Sequence, residues 1–294
     1  MAKIKILAAL AVLAALAACG GDSRAPAKRG TLMSPGYMNP GDFRAAGVPA
    51  QFGDTRPHEW ADISPAMLPI HGIDAARYQG RINWFDARSG GVNFAWLKAT
   101  EGGDYIDPGY AMNAPLARAA GVPVGAYHFY YFCRTPREQA NWYIDNVPKV
   151  PGDLPPVLDI EWNHQSKTCR RFPDAATVRR EITEYVGIVE RHYGTKAIIY
   201  TTPDFYADNQ LGQLRGVEFW LRSTAGHPTE RYPGERWSFW QWTGTGVVQG
   251  VGGIADINAF AGSTDVWRAW LTARRQQSPP PRKRKRPPVR RAFP

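Results

Sequence analysis

The stretch PPVLDIEWN, Pro155 to Asn163, combines the pattern of a buried strand with two carboxylates, Asp159 and Glu161. Side chains two positions apart on a strand project from the same face, so both acids are expected to enter one space. Ionised carboxylates held so close repel each other, and their burial is costly unless something compensates. A strand that accepts this cost indicates a functional use for the pair.

Outward from this strand, short apolar runs alternate with amphipathic segments between Ile70 and Leu271. The strongest helix pattern is DAATVRREITEYVGIVERHYG, in which Asp174 can cap the start and Gly194 the end. Three strand-like runs with short connections follow it: KAIIYTT, EFWLRST and WSFWQWTG. Repeated strand, helix, strand units predict an α/β fold, an irregular TIM-like barrel whose helix-poor final third closes it irregularly. A later glycine-rich run, GTGVVQG, lacks a following helix and is interpreted as a turn.

Acidic residues stand near the ends of several predicted strands. Asp74 follows HGI, Asp159 and Glu161 follow PPVL, and Asp256 lies in GIADINAF. Because catalytic groups of such barrels collect at the carboxyl ends of the strands, these acids are expected to meet at one mouth.

Aromatic residues at similar positions, among them Tyr127, Tyr200 and Trp242, predict a substrate-binding wall. Carboxylates among aromatic rings suit sugars, whose C–H faces stack on the rings while their hydroxyls bond to the acids. Cleavage of a glycosidic bond needs one carboxyl group that stays protonated near neutral pH. Glu161 is the natural proton donor, and Asp159 beside it can raise its pKa and act as an electrostatic stabiliser.

The ordered blocks of the chain resemble glycoside hydrolase family 25, the muramidase or lysozyme family. The resemblance covers about Ile70 to Phe260 and rests on HGIDAARYQGRINW, FAWLKATEGGDYIDPGYAMNAPLARAAGVPVGAYHFY, PPVLDIEWN, IIYTTPDFY, FWLRST and WSFWQWTGTGVVQGVGGIADINAF. It implies a (β/α)5(β)3 barrel that cleaves the β-1,4 bond between N-acetylmuramic acid and N-acetylglucosamine in peptidoglycan, with no cofactor or metal.

The same resemblance implies roles for individual residues. Glu161 would be the general acid, and Asp74, Asp159 and Asp256 would bind and polarise the substrate. Tyr127, in AYHF, would line the cleft. Where the family commonly has GIDVS, this chain has two alanines after Asp74, which affects a local polar contact but none of the acids.

The sequence leaves the stereochemistry and part of the function open. Retention through a protein nucleophile needs carboxyl groups about 5–5.5 Å apart, and inversion about 6.5–9.5 Å. The 2-acetamido group of the substrate can instead attack with help from Asp159, and we favour this route. Lys98 and Glu101 either support the site or form a salt bridge that shapes the barrel. A chitinase-like hydrolase and a non-catalytic module that binds the cell wall are the alternative functions.

The N-terminus predicts export. Two lysines precede the apolar run ILAALAVLAALAAC, which ends at Cys19 and is shorter than the roughly 20 residues of a membrane-spanning helix. Its end, LAAC, resembles the bacterial lipobox, so residues 1–18 are predicted to be a lipoprotein-type signal peptide and Cys19 the acylated N-terminus of a membrane-anchored protein facing the periplasm or exterior. An ordinary cleaved signal is the alternative. Residues 19–65 are predicted to form a tether and residues 66–273 the catalytic domain.

Two further cysteines, Cys133 and Cys169, are predicted to form a disulfide, since an exported chain meets oxidising conditions. Residues 274–294 are predicted to be a disordered tail rich in proline and basic residues. From Gln276 onward the tail holds seven positive charges of a net +10, so the remainder is nearly neutral. This placement argues against nucleic acid as a partner. It favours either anionic envelope polymers as partners or a tail that only increases solubility. The enzyme is expected to be a monomer.

Overall fold

The computed structural model describes residues 52–61 and 63–277. The predicted signal peptide, Cys19, most of the tether and the tail beyond residue 277 lie outside the described residues. Among the helices of the described part, none is both long and apolar enough to cross a membrane.

Ten strands and seven α-helices follow one another along the described chain. The strands are β1 (Phe52–Asp54), β2 (His71–Ala75), β3 (Val92–Glu101), β4 (Tyr105–Ile106), β5 (Val124–Phe129), β6 (Val157–Asp159), β7 (Ile198–Thr201), β8 (Glu218–Arg222), β9 (Phe239–Val248) and β10 (Ala255–Phe260). The helices are α1 (Trp84–Ser89), α2 (Pro108–Ala119), α3 (Pro136–Asn146), α4 (Ala175–Tyr193), α5 (Pro203–Asp208), α6 (Pro228–Arg231) and α7 (Thr264–Gln277).

Eight of these strands form a closed barrel in the order β2, β3, β5, β6, β7, β8, β9, β10. The strands from β2 to β9 are parallel to their neighbours, and β10 is antiparallel to both β9 and β2. A helix follows each of the first five barrel strands, whereas only the four-residue α6 separates β8 from β9. The predicted irregular barrel is therefore confirmed, with its helix-poor closure.

Local sequence explains the best-predicted helix, α4. The side chain of Asp174 accepts the backbone N–H of Thr177 at 3.0 Å, which caps the helix start. Gly194 ends it with φ of 70°, a left-handed conformation that glycine adopts without a steric penalty. Its inward face buries Val178 and Ile182, so the apolar spacing seen in the sequence is the face that packs on the barrel.

The lower half of the barrel interior is filled by aromatic rings. Phe94, Trp96, Trp220 and Phe239 pack within the barrel, and stacked tryptophans of α7 close its lower end. Gly72 makes this packing possible, because a Cβ at this position would lie 2.4 Å from the backbone carbonyl oxygen of Phe94 in β3. The barrel interior is thus a packed aromatic core towards the amino ends of the parallel strands and a polar cleft at their carboxyl ends.

Two predicted boundaries differ from the structure. Phe52–Asp54 falls inside the predicted 19–65 tether but pairs antiparallel with Gly246, Val247 and Val248. The run GTGVVQG is accordingly not a turn over most of its length, since β9 continues through Val248. The helix α7 also passes residue 273 and ends at Gln277. Strand β1 lies almost 200 positions before the end of β9, with which it pairs, and no local pattern in the sequence reveals this pairing.

The disulfide prediction is confirmed. Cys133 and Cys169 are bonded, with their Cα atoms 5.6 Å apart. Cys133 lies in the connection after β5 and Cys169 in the connection after β6, so the bond joins two loops at the carboxyl end of the barrel. These loops flank the segment that carries Asp159 and Glu161.

Candidate active site

A cleft of about 380 Å³ opens at the carboxyl ends of the parallel strands, and all four predicted acids line it. Asp74 lies near the end of β2, Asp159 ends β6 and Glu161 follows two residues later. Asp256 is the second residue of β10, and it reaches the same mouth because this antiparallel strand starts where its neighbours end. The fold therefore brings together four acids that are far apart in sequence.

Asp74 and Asp256 are a hydrogen-bonded pair. They lie opposite each other on β2 and β10, a register that puts their side chains on the same face. Asp74 Oδ1 accepts the Nε2–H of Gln241 at 3.0 Å and the Nδ2–H of Asn258 at 2.8 Å. Burial, and then the charge of Asp256, raises the pKa of Asp74 well above its usual range.

Asp256 also has a raised pKa. Burial raises it to about 6, while the guanidinium of Arg222 and the hydrogen bond with Asp74 hold it down. The two carboxyl groups therefore titrate together, and both hold their protons to higher pH than an exposed aspartate does.

Asp159 and Glu161 share a face as the sequence predicts. Ile160 between them is fully buried, and the acids on either side line the cleft. Burial raises the pKa of Glu161 to about 7, against which the positive charge of Arg222 acts. Near neutral pH this carboxyl is thus poised between its protonated and ionised forms.

Burial contributes more to this shift than neighbouring charge does. It is the largest contribution to the raised pKa of Glu161, and the charges of Asp204 and Asp256 add to it. Burial also raises the pKa of Asp159 well above its usual range, followed by the charge of Glu161. The Oδ1 atom of Asp159 is buried and has no hydrogen-bond partner within the described chain. Other atoms of the same residue line the cleft.

The predicted aromatic residues divide between two places. Tyr127 and Tyr200 line the acid cleft, and the Tyr200 hydroxyl donates to Gln241 Oε1 at 2.9 Å. Trp242 does not line it, because Gln241, its neighbour on β9, faces the cleft and successive side chains of a strand alternate. The ring of Trp242 instead lies edge-on to His71, with the centroids 6.0 Å apart, and borders an adjoining cavity.

The structure adds cleft residues that the sequence analysis did not select, among them Arg222 and Tyr78. Arg222 ends β8, so the rule that strand ends carry function could have found it. Tyr78 follows the first acid block and is 76% exposed at the rim, where the Arg77 guanidinium donates to its hydroxyl at 3.3 Å. An exposed ring at this position offers a stacking surface for a sugar.

Lys98 fulfils both roles considered for it. Its Nζ lies 2.5 Å from Glu101 Oε2 and 4.6 Å from the centroid of the Phe129 ring. Its side chain also lines the cleft, and its charge lowers the pKa values of Asp159 and Glu161. Within residues 52–61 and 63–277, no cluster of three His, Cys, Asp or Glu side chains is arranged to hold a metal ion.

Comparison with known proteins agrees with this arrangement. The family model described as glycosyl hydrolases family 25 matches residues 73–251, which include Asp74, Asp159 and Glu161 and end five residues before Asp256. The chain belongs to glycoside hydrolase family 25. It is therefore an enzyme, a glycoside hydrolase.

Individual relatives of family 25 extend over most of the described chain. Uncharacterized protein YegX of Escherichia coli strain K12 is 34% identical over 70% of this chain and 75% of its own length. Lysozyme M1 of Streptomyces globisporus is 34% identical over 68% of this chain and 71% of its own length. A family 25 glycosyl hydrolase structure from Bacillus anthracis is 31% identical and superposes with a TM-score of 0.66, covering 74% of this chain and 98% of the other.

Proposed function

We propose that the enzyme is a muramidase that hydrolyses peptidoglycan at the β-1,4 bond between N-acetylmuramic acid and N-acetylglucosamine. The observation that carries the proposal is a buried carboxyl with a pKa of about 7, Glu161, in a cleft that holds three further acids. Family 25 membership and the similarity to a protein named lysozyme support the choice of substrate.

Glu161 is the general acid in this proposal. Its carboxyl proton passes to the glycosidic oxygen as the bond between that oxygen and C1 breaks. A pKa near the working pH suits both halves of the reaction, because the same carboxylate must then take a proton from the attacking water. The nearby Arg222 limits how far burial raises that pKa.

The 2-acetamido group of the substrate is the internal nucleophile that we favour. Its carbonyl oxygen bonds to C1 as the leaving oxygen departs, and the carboxylate of Asp159, which lines the cleft, accepts the amide N–H and stabilises the positive charge that develops. Water then adds to C1, its proton goes to Glu161, and the ring formed by the acetamido group reopens. This sequence retains the anomeric configuration.

The remaining acids orient the sugar. The Asp74–Asp256 pair lines the cleft together with Tyr127 and Tyr200. Carboxylates and phenol hydroxyls can bond to sugar hydroxyls and to the acetamido group, while the ring faces contact the C–H surface.

The proposal also covers the location of the enzyme. Residues 1–18 are a lipoprotein signal, Cys19 is acylated, residues 19–51 tether the barrel, and the basic tail contacts anionic envelope polymers. Mass spectrometry of the N-terminal peptide from membrane fractions tests this part. We expect diacylglycerol on Cys19, whereas a free N-terminus at another residue indicates an ordinary cleaved signal.

Digestion of purified peptidoglycan by the enzyme and by its Glu161→Gln variant tests the activity. The released fragments are reduced and analysed by mass spectrometry, with chitin oligomers as a parallel substrate. We expect new N-acetylmuramic acid reducing ends from the parent and none from the variant. Cleavage of chitin oligomers alone would indicate a chitinase-like enzyme, and wall binding without fragments from either protein would indicate a binding module.

A further inference from the structure

A second cavity of about 270 Å³ adjoins the acid cleft beside β9. Residues 54–60, which lie N-terminal to the barrel, form one wall, and Trp242 and Thr243 of β9 form part of the other. Arg222 lines both this side cavity and the acid cleft, so the two spaces meet at its side chain. The wall formed by residues 54–60 lies outside the part of the chain that matches family 25.

The N-terminal wall is held in place by specific contacts. Strand β1 pairs with the end of β9, and the ring of Trp60 packs edge-on against Trp240 at 5.1 Å between centroids. The carboxylate of Asp54 accepts the hydroxyl of Thr245 at 2.6 Å and the backbone N–H of Arg56 at 2.8 Å. The one acidic side chain that lines the cavity, Asp54, is thus already bonded to protein groups of both walls.

The side cavity is lined by two arginines, Arg56 and Arg222, and by Trp242. Trp242 is only 7% exposed, and its Nε1–H has no partner among the described residues. A buried indole N–H normally donates to an acceptor, and this one is left without an acceptor by the described residues. Neither Arg222 nor Arg56 takes part in an ion pair within the described chain.

We propose that the side cavity binds a carboxylate of the peptide stem that branches from the glycan chain of peptidoglycan. Two guanidinium groups that line one cavity suit a carboxylate, which can accept a bidentate pair of bonds from arginine. The stem leaves the sugar chain at N-acetylmuramic acid, beside the bond to be cleaved, and Arg222 stands where the side cavity meets the acid cleft. This proposal rests on the muramidase function.

The preference for stem-bearing glycan tests the proposal. The full-length protein is assayed on intact peptidoglycan and on the same glycan after an amidase has removed the stems, and kcat/KM is measured from new reducing ends. We expect the parent to favour the intact substrate at least tenfold. Equal rates on both substrates would overturn the proposal and leave the muramidase function standing. Cleavage of neither would contradict the muramidase function and, with it, this proposal.

Two variants locate the effect in the side cavity. Arg56→Gln removes an exposed charge, and Trp242→Phe removes the indole N–H but keeps a ring. For each we expect the ratio of the two kcat/KM values to fall severalfold, through a higher KM on the intact substrate. The matched control is Arg215→Gln, an exposed arginine before β8 at the opposite end of the barrel, which should keep the parental ratio. Parental ratios in both side-cavity variants, with unchanged thermal unfolding, would overturn the proposal.

Discussion

The buried carboxyl of Glu161 makes the stability of the barrel depend on pH, and Glu161→Gln should remove this dependence. Its pKa rises from an ordinary 4.5 to about 7 in the folded protein. Since each pKa unit corresponds to about 1.4 kcal/mol, the folded state loses about 3 kcal/mol relative to the unfolded state when Glu161 ionises. Glutamine has a similar shape and carries no charge at any pH.

The sign of the effect follows from where the proton binds more tightly. The folded protein holds the Glu161 proton more strongly than the unfolded chain does, so this contribution is complete below pH 4.5 and is lost as the pH rises through 7. We therefore expect parent and variant to have similar free energies of unfolding near pH 4. At pH 8.5 the variant should be more stable by about 3 kcal/mol. The variant also lacks the charge repulsion between Glu161 and Asp159, and this loss of repulsion stabilises it in the same pH range.

Urea unfolding followed by tryptophan fluorescence, at intervals from pH 4 to pH 8.5, measures this difference. The variant should have lost its hydrolytic activity, so a single substitution separates function from stability. Glu59→Gln, at an exposed carboxylate, is the control and should give a curve parallel to that of the parent. If the Glu161→Gln and parental curves also run parallel, the argument that burial sets this pKa is wrong.

Three further predictions concern the charge near the acid, the disulfide and the core. Arg222→Met should move the alkaline limb of the pH profile of kcat/KM to higher pH, because the guanidinium lowers the pKa of Glu161; an unchanged limb in a stopped hydrolysis assay would contradict this. Serine at both disulfide cysteines should lower the free energy of unfolding by about 3–4 kcal/mol in urea, given a sequence separation of 36; a loss below 1 kcal/mol would not fit. Gly72→Ala should lower the thermal midpoint, because the added Cβ would overlap Phe94 of β3 and reduce the free energy of unfolding by about 1–3 kcal/mol. Gly53→Ala is the control and should have little effect, because the nearest atom to its added Cβ is 3.5 Å away.

The sequence predicted the features that depend on local pattern or on a recognisable motif. The apolar spacing and caps of α4 determine a helix wherever it packs, and the acids at strand ends meet because parallel strands end at one edge. Even Asp256, on the one antiparallel barrel strand, was placed correctly at the mouth.

Features that depend on pairing over long distances were missed. No local pattern near Phe52 or Val248 indicates that these residues pair, so the sequence predicts a tether at β1 and a turn at the end of β9. Trp242 was assigned to the acid cleft because aromatic residues were chosen by type, whereas the alternation along β9 gives that position to Gln241. The weight of burial over neighbouring charge at Glu161 likewise depends on the whole surrounding fold.

The shortness of the helices between β7 and β10 has a consequence for how such an enzyme can change. The outer face of β9 is covered by the segment that contains Trp60, whereas the acids project from the barrel mouth. Substitutions or insertions in this cover can therefore alter what is recognised beside the scissile bond and leave the reacting groups untouched. In evolutionary terms, the barrel can keep its catalytic residues while residues 54–60, which precede the part that matches the family, change under selection for a particular type of bacterial cell wall.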